Sequence, residues 1–125
     1  MAQSDYSALV AQHFHQPSNA GRLKGSSVVE ASVGRIDQGA HFRFTADIRD
    51  DRIDAIKFEA YGCPHCIAAA SWLTERLTGA NLSKLQSWSW REVERALEVP
   101  AEKRGKLLLL EDAVRQLADR WRRRS

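Results

Sequence analysis

The chain has few cysteines and prolines, and it has no long apolar run. Two cysteines among 125 residues are too few for the disulfide framework of a small secreted domain or for a four-cysteine zinc site. No segment is apolar enough to span a bilayer, and none after Met1 resembles a signal peptide. We therefore expect a cytoplasmic protein with no membrane partner, where reducing conditions favour a metal-binding or catalytic Cys-x-x-Cys pair over a structural disulfide.

The chain also lacks a strong excess of charge of one sign. Its net charge is +3, and several of its cations lie in the terminal segment 120–124. We interpret this segment as a solvated helix end whose cations suit the helix dipole, with residues from about 122 to 125 forming a frayed basic tail. One short arginine cluster is a weak indication of nucleic acid binding, so nucleic acid is not an expected partner. The length predicts a single domain over residues 1–125.

The first half of the chain has the pattern of one helix followed by three strands. Ser4 is the expected cap of an amphipathic helix that Pro17 ends. Apolar and polar residues then alternate in three segments, which predicts three strands with one buried face each. The connection over residues 49–52 is short enough for a hairpin, so we expect an antiparallel meander. The predicted buried positions are Val29, Ala31 and Val33, then Phe42, Phe44, Ala46 and Ile48, then Ile56, Phe58 and Ala60.

The second half of the chain has only helical patterns. Pro64 suits the first turn of a helix and Gly79 its end, which predicts a helix from the cysteines to Thr78. The fold class is therefore α+β, a three-stranded antiparallel meander sheet with helices packed on one face. The remaining helical landmarks are a short turn at Leu82 and Leu85, a capping box at 89–92, a helix end at Leu97 and the start of the last helix at Pro100.

Both cysteines lie in the motif Cys-Pro-His-Cys, residues 63–66, where the third strand gives way to a helix. We expect the Cys63 sulfur near the N-terminal end of that helix, where unpaired backbone N–H groups favour a thiolate. Helical spacing lets Cys66 approach Cys63, and two thiolates are soft ligands for zinc, iron or an iron–sulfur cluster. The alternative for Cys66 is a small buried residue like the alanines that follow it.

Two cysteines do not complete a tetrahedral metal site. The first candidate for a further ligand is His65, which is alternatively a solvated residue of the first helical turn. Weaker candidates are His41 and Asp37, near the second strand. The start of the last helix or a second subunit is the remaining possible source of ligands.

The same two cysteines also suggest redox chemistry. Cys63 and Cys66 would form a reversible disulfide, with Cys63 as the attacking thiolate. A strand, Cys-Pro-His-Cys and a helix match the active site of thioredoxin-like proteins locally. That fold also needs strands after the active-site helix and a proline loop facing the cysteines. The sequence has no such strands, and its prolines are Pro17, Pro64 and Pro100.

Three groups of residues follow the pattern of one known family. The opening group is Tyr6, Val10, His13, Phe14, Pro17, Asn19 and Gly21. The central group is Phe58, Tyr61, Gly62, Cys63, Ala68, Ser71, Thr74, Glu75 and Gly79. The last group is Pro100, Lys103, Glu111, Asp112 and Ala113. In these residues and in the order of its elements, the chain resembles the iron–sulfur cluster assembly scaffolds of the IscU and NifU N-terminal domain family over nearly its whole length.

The resemblance also implies that the site has changed in this chain. The family assembles a cluster on three cysteines with a nearby aspartate, and only the central cysteine is present, as Cys63. Cys66 is an addition that the family pattern lacks. Lys106 stands at a family cysteine position, so the family fold would bring a cation beside Cys63. The other family ligand positions fall on Asp37 or Gln38, on Gly39 or Ala40, and on Gly105.

The resemblance implies a role in iron–sulfur cluster assembly. We expect a scaffold-like protein, not an enzyme, that binds iron, zinc or a cluster, or accepts persulfide sulfur, at Cys63 and Cys66. The expected partners are a cysteine desulfurase and other cluster-assembly proteins, and a homodimer is also considered. Only Pro100 and Lys103 match the family's Leu-Pro-Pro-Val-Lys chaperone motif, which argues against an Hsp70-type partner. The alternatives are a thiol–disulfide redox protein and a partner-binding module that has lost cluster scaffolding.

Overall fold

Three antiparallel strands form the sheet in this computed structural model, which describes residues 6–124. The sheet order β1-β2-β3 confirms the predicted meander. Asp50 and Asp51 form the two-residue hairpin loop, and both have the left-handed φ values, 52° and 59°, that such a loop requires. Between the first two strands lies a 3-10 turn, Ile36–Gln38. The strands are β1 (Val28–Arg35), β2 (Ala40–Arg49) and β3 (Arg52–Tyr61).

The described residues form five α-helices, in positions close to those predicted. The Ser7 hydroxyl caps the first helix by accepting from the Val10 N–H at 3.2 Å. The predicted cap, Ser4, lies outside the described residues. Pro100 precedes a 3-10 turn over Ala101–Lys103, so the last helix begins four residues after the predicted start. The helices are α1 (Ala8–His15), α2 (Pro64–Leu77), α3 (Leu82–Ser87), α4 (Arg91–Leu97) and α5 (Arg104–Arg123).

The start of α4 differs from the predicted capping box. The helix has the predicted end, but its N-cap residue is Trp90, and no side chain caps it. The Ser89 hydroxyl accepts from the Arg91 N–H at 3.3 Å instead of from the Glu92 N–H. The Trp90 N–H donates to the Glu111 carboxylate on α5 at 3.1 Å. A tertiary contact therefore replaces the local cap.

The helices cover one face of the sheet, as the sequence predicts. α2 lies against β3, and α5 lies against β1 and β2. Each fully buried large apolar side chain of this layer contributes about 1.5–3 kcal/mol to folding. The opposite face carries ion pairs such as Arg43 with Glu30 at 3.6 Å and with Glu59 at 3.7 Å. The large side chains at the interface of sheet and helices include Phe42, Phe44, Ile53, Ile56, Leu73, Leu77, Leu110 and Leu117.

The end of α5 enters the segment for which the sequence predicts a frayed tail. The helix continues to Arg123. Arg122 and Arg123 contact the Asp119 carboxylate at 3.1 and 3.2 Å, and Arg124 donates to the Ser27 carbonyl at 3.1 Å. Among the described residues, no helix has both the length and the apolar character that crossing a membrane requires.

A polar cluster of His13, Ser18, Ser71 and Glu75 joins α1 and the turn after it to the middle of α2. We call it the α1–α2 polar cluster. The Ser71 hydroxyl accepts from the Ser18 N–H at 2.7 Å and lies 2.7 Å from His13 Nδ1. The Ser18 hydroxyl donates to Glu75, whose Oε1 lies 3.8 Å from His13 Nε2. His13 is buried. The cluster therefore ties α1 and the turn after it to the middle of α2.

Candidate dithiol site

The site begins where β3 ends and α2 starts. Cys63 is the N-cap residue of α2 and has an extended backbone, and Pro64 occupies the first helical position, where no N–H is needed. The Cys63 carbonyl accepts from the N–H groups of Cys66 at 2.9 Å and Ile67 at 3.2 Å, which closes the first turn. The Cys63 sulfur therefore lies at the N-terminal end of a fourteen-residue helix, as the sequence predicts.

The two sulfur atoms lie next to each other. Cys63 Sγ and Cys66 Sγ are 3.5 Å apart, and both residues are free thiols. Cys63 is half-buried, whereas Cys66 is only 2% exposed. Gly62 allows this arrangement, because a Cβ at that position would stand 2.8 Å from both the Cβ and the Sγ of Cys66. The end of β3 thus passes too close to Cys66 for any larger residue.

The surroundings push the pKa values of the two thiols apart. Burial raises the pKa of Cys63, but hydrogen bonds from the Cys66 backbone and thiol, the charge of Lys103 and the His65 N–H outweigh it and hold that pKa below its ordinary value. Burial raises the pKa of Cys66 to about 11, and the neighbouring Cys63 adds to this effect. Cys63 is therefore the more acidic and more reactive thiol, with Cys66 held as a protonated neighbour.

Two lysines at the start of α5 bring positive charge to the site. The charge of Lys103 lowers the pKa of Cys63, and the charge of Lys106 lowers the pKa of Cys66. The sequence predicts a cation from Lys106 near the cysteines, and Lys103 adds a second one, whose charge lowers the pKa of Cys63. Lys106 Nζ would lie 3.9 Å from a Cβ at Gly39, which brings a cation to the part of the site where the family pattern has ligands. We refer to Cys63, Cys66 and these two lysines as the dithiol site.

His65 is buried, not solvated. Its side chain is 4% exposed and its ring packs on the Tyr6 ring with 4.7 Å between the ring centroids. Neither ring nitrogen has a hydrogen-bond partner among the described residues. Burial lowers the pKa of His65, and the charge of Lys103 lowers it further. The neutral imidazole is therefore the favoured form, and the solvated alternative from the sequence is wrong.

The weaker candidate ligands are engaged elsewhere. His41 Nε2 lies 2.9 Å from the Ser32 hydroxyl on the neighbouring strand. The exposed Asp37 carboxylate accepts from the Arg35 guanidinium at 3.0 and 2.9 Å. Within residues 6–124, no three His, Cys, Asp or Glu side chains come together in a group that could hold a metal ion.

The donors that residues 6–124 bring together do not complete a zinc or cluster site. A structural zinc or a [2Fe-2S] cluster takes four protein ligands, mostly thiolates. The described part of the chain brings together two sulfurs, one of them on a thiol with a pKa of about 11. Lys103 and Lys106 add positive charge where a metal would need negative ligands. The geometry instead suits sulfur chemistry between two adjacent thiols.

Lys103 is the residue that sequence reasoning missed. It lies three residues after Pro100 and immediately before α5. It belongs to the last group of family-pattern residues, so the resemblance contained a signal for it. That signal does not show which sulfur the ammonium group faces, because this depends on how α5 packs against α2.

Curated proteins similar to this chain are named for nitrogen fixation and iron–sulfur assembly. The Nitrogen fixation protein NifU of Azotobacter chroococcum is 36% identical over 103 residues, which cover 79% of this chain and 33% of that protein. The Bifunctional protein NifU/MnmA of Rubrobacter xylanophilus is 33% identical over 94% of this chain and 25% of its own length. The chain thus spans only about a quarter to a third of these two relatives. The IscU scaffold protein of Haemophilus influenzae is 32% identical, with 88% of this chain and 90% of that protein covered.

Solved structures share the fold. A NifU-like N-terminal protein from Brucella abortus superposes with a TM-score of 0.75 at 15% identity and covers 95% of both chains. A candidate scaffold protein for the SUF system from Fervidobacterium islandicum has a TM-score of 0.69 at 14% identity, with 90% of this chain and 96% of that chain covered. At these identities the likeness concerns the fold alone. The model of the family described as NifU-like N terminal domain matches residues 5–125, so the chain belongs to the IscU and NifU N-terminal domain family.

Proposed function

We propose that this chain takes part in iron–sulfur cluster assembly by accepting sulfur at Cys63. One observation carries the proposal: a half-exposed thiol stands at the N-terminal end of α2 with a second thiol 3.5 Å away. Relatives named as iron–sulfur cluster assembly scaffolds support the process in which the sulfur is used. The lowered pKa of Cys63 supports its role as the attacking thiolate.

The transfer needs only one exposed thiolate. The Cys63 sulfur attacks the outer sulfur of a persulfide on the donor, the donor's S–S bond breaks, and the donor cysteine leaves as a thiolate. Cys63 then carries the sulfane sulfur as its own persulfide, with no net oxidation or reduction. The backbone N–H groups at the start of α2 and the charge of Lys103 stabilise the anionic form of the attacking sulfur.

The chemistry of the donor suggests the partner. A cysteine desulfurase supplies persulfide sulfur and is the partner we propose, and the chain acts as a carrier, not as a turnover enzyme. Iron or a cluster would need ligands from a second chain, because the described residues supply two sulfurs. The donor set does not favour zinc over this sulfur chemistry.

Sulfur loading with a desulfurase and cysteine tests the proposal. Transferred sulfur is counted as protein-bound persulfide, by intact mass after alkylation, plus sulfide released above a blank that lacks this chain. We expect about one sulfur per parent chain and none for Cys63→Ala. Cys66→Ala is the matched control, because it removes the other thiol and keeps Cys63. Equal sulfur uptake by Cys63→Ala and the parent would show that Cys63 is not the acceptor.

Iron binding is tested separately. After anaerobic incubation with iron and sulfide, we expect a single chain to retain no [2Fe-2S] cluster, as judged by metal analysis and visible spectra. Any cluster should elute with a dimer on size-exclusion chromatography. A stable cluster on the monomer contradicts this expectation, because it would require ligands that residues 6–124 do not bring together.

A further inference from the structure

We infer that Cys66 releases, as sulfide, the sulfur that Cys63 accepts. This inference rests on the proposed function and adds a second step to it. The pair would not only carry sulfane sulfur but also supply the two electrons that convert it into sulfide, the form that a cluster contains. Cys66 is the residue that the family pattern lacks, so this step is a property of this chain's own site.

The geometry places the second thiol for direct attack. Reacting atoms in productive complexes lie about 3–3.5 Å apart, and the two sulfurs are 3.5 Å apart. A disulfide has an S–S length of about 2.05 Å, so rotation of the half-buried Cys63 side chain has little distance to close. Cys66 is held in place by its burial and by the backbone of Gly62 pressed against it. The attacking atom therefore needs no large rearrangement.

The step is balanced in atoms and electrons. Cys66 gives its proton to the outer sulfur of the anionic Cys63 persulfide and, as the thiolate, attacks the inner sulfur, which forms the Cys63–Cys66 disulfide and breaks the bond to the outer sulfur. The outer sulfur leaves as hydrosulfide with the proton that Cys66 gives up. Two cysteine sulfurs are oxidised to a disulfide, and one sulfane sulfur is reduced to sulfide. A dithiol reductant of the thioredoxin class then restores both thiols.

The charge around the pair favours an anionic product over a bound cation. His65, Cys66, Lys103 and Lys106 pack together with apolar residues of β2, α2 and α5 around a gap too small for a water molecule. The positive charge that the two lysines bring near the thiols stabilises a persulfide or hydrosulfide anion and opposes the binding of an iron cation. Among residues 6–124 no third ligand joins the two cysteines, so the described residues do not form a metal site that the sulfur held on Cys63 could join. Release as sulfide gives it a route to a cluster assembled elsewhere.

A single-turnover experiment tests the inference. The reduced parent, Cys66→Ala and Cys63→Ala each receive one equivalent of glutathione persulfide without reductant, and sulfide and intact mass are followed against a protein-free blank. For the parent we expect about one sulfide per chain and a product two hydrogens lighter than the reduced chain. Cys66→Ala should keep the added sulfur as a persulfide and release sulfide at least about tenfold more slowly. Cys66→Ser repeats the test with a second residue, and circular dichroism checks that both variants are folded.

The outcomes separate this inference from the proposed function. If the parent and Cys66→Ala both take up sulfur and release sulfide at the same rate, the inference is wrong and Cys63 remains the acceptor. A parent that keeps a stable persulfide leads to the same conclusion. If neither the parent nor Cys66→Ala takes up sulfur, the proposed function itself is contradicted, and the inference falls with it.

Discussion

The two parts of α2 differ in how their polar groups are used. In the middle of α2, the polar side chains have hydrogen-bond partners in the α1–α2 polar cluster. Ser71 accepts from a backbone N–H and contacts His13, and Ser18 donates to Glu75. At its N-terminal end, the dithiol site has two sulfurs 3.5 Å apart, and neighbouring His65 has ring nitrogens with no partner among the described residues. The same helix therefore carries a hydrogen-bonded structural cluster in its middle and a pair of reactive thiols at its N-terminal end.

The difference shows how this fold separates stability from chemistry. Leaving a buried polar group without its partner costs about 1–3 kcal/mol, so the polar cluster specifies how α1 and α2 pack. The thiols need no such partners, because sulfur hydrogen-bonds weakly and free cysteine packs like a small apolar residue. The N-terminal end of α2 can consequently change its chemistry without loss of the fold. The following four predictions test this separation, from the largest expected effect to the smallest.

Alkylation should distinguish the two cysteines by the largest factor. A thiol with a pKa of about 11 is ionised in only roughly one molecule in ten thousand at neutral pH, whereas an ordinary thiol is ionised to about a few per cent. The pKa of Cys63 is lower than that of an ordinary thiol, and its side chain is only half-buried. Iodoacetamide should therefore label Cys63 at least about 100-fold faster than Cys66. Peptide mass spectrometry at short reaction times gives both rates. Similar rates would remove the assignment of Cys63 as the attacking thiol.

Ser71→Ala should destabilise the fold and leave the dithiol site unchanged. The substitution leaves the buried His13 Nδ1 and the partly buried Ser18 N–H without their partner, which we expect to cost about 1–3 kcal/mol of unfolding free energy. Urea denaturation measures the loss. Ser87→Ala, an exposed serine in α3, is the matched control and should stay within about 0.5 kcal/mol of the parent. A changed Cys63 alkylation rate in the folded Ser71→Ala protein would contradict the separation of fold stability from thiol chemistry.

Lys103→Gln should slow the alkylation of Cys63 severalfold at neutral pH. Removing this charge raises the pKa of Cys63, so less thiolate is present. Lys106→Gln is the matched comparison, because the Lys106 charge acts first on Cys66 and should change the Cys63 rate less than Lys103→Gln does. The difference between the variants should shrink in part at high salt, since both lysines are partly exposed and ions screen them incompletely. A larger effect from Lys106→Gln would reverse the assignment of the two cations.

His65 should make a small pH-dependent contribution to stability. Its pKa is lowered by burial and by Lys103, so the unfolded chain binds this proton more readily than the folded one. Stability is then complete above the unfolded pKa of about 6.5 and falls as the pH decreases below it. We expect the unfolding free energy of the parent to fall more steeply below pH ~6.5 than that of His65→Phe, whose ring can still pack on Tyr6. The other histidines are present in both proteins and cancel in the difference, so parallel curves contradict the prediction.

Much of the fold was predictable because its signals are local. Alternation of apolar and polar residues identified the strands, and Asp50 and Asp51 form the hairpin in the short connection that predicted it. The prediction of a capping box before α4 was wrong because of a contact with a distant part of the chain. The Glu111 carboxylate on α5 accepts from the Trp90 N–H. A capping pattern covers only a few neighbouring residues. It therefore cannot predict a hydrogen bond to a carboxylate 21 positions later in the chain.

The sequence alone determined that Cys63 stands at a helix start with a second cysteine one turn later, because a proline at the first helical position and a strand before it are readable in order along the chain. Tertiary structure decided what surrounds this pair. The 3-10 turn before α5 brings Lys103 to where its charge acts on Cys63, and His65 is buried against Tyr6 and the start of α5. Periodicity shows which face of an element is covered, but the covering residues come from distant parts of the chain. The chemistry of the two thiols depends on those residues, through charge and the exclusion of water.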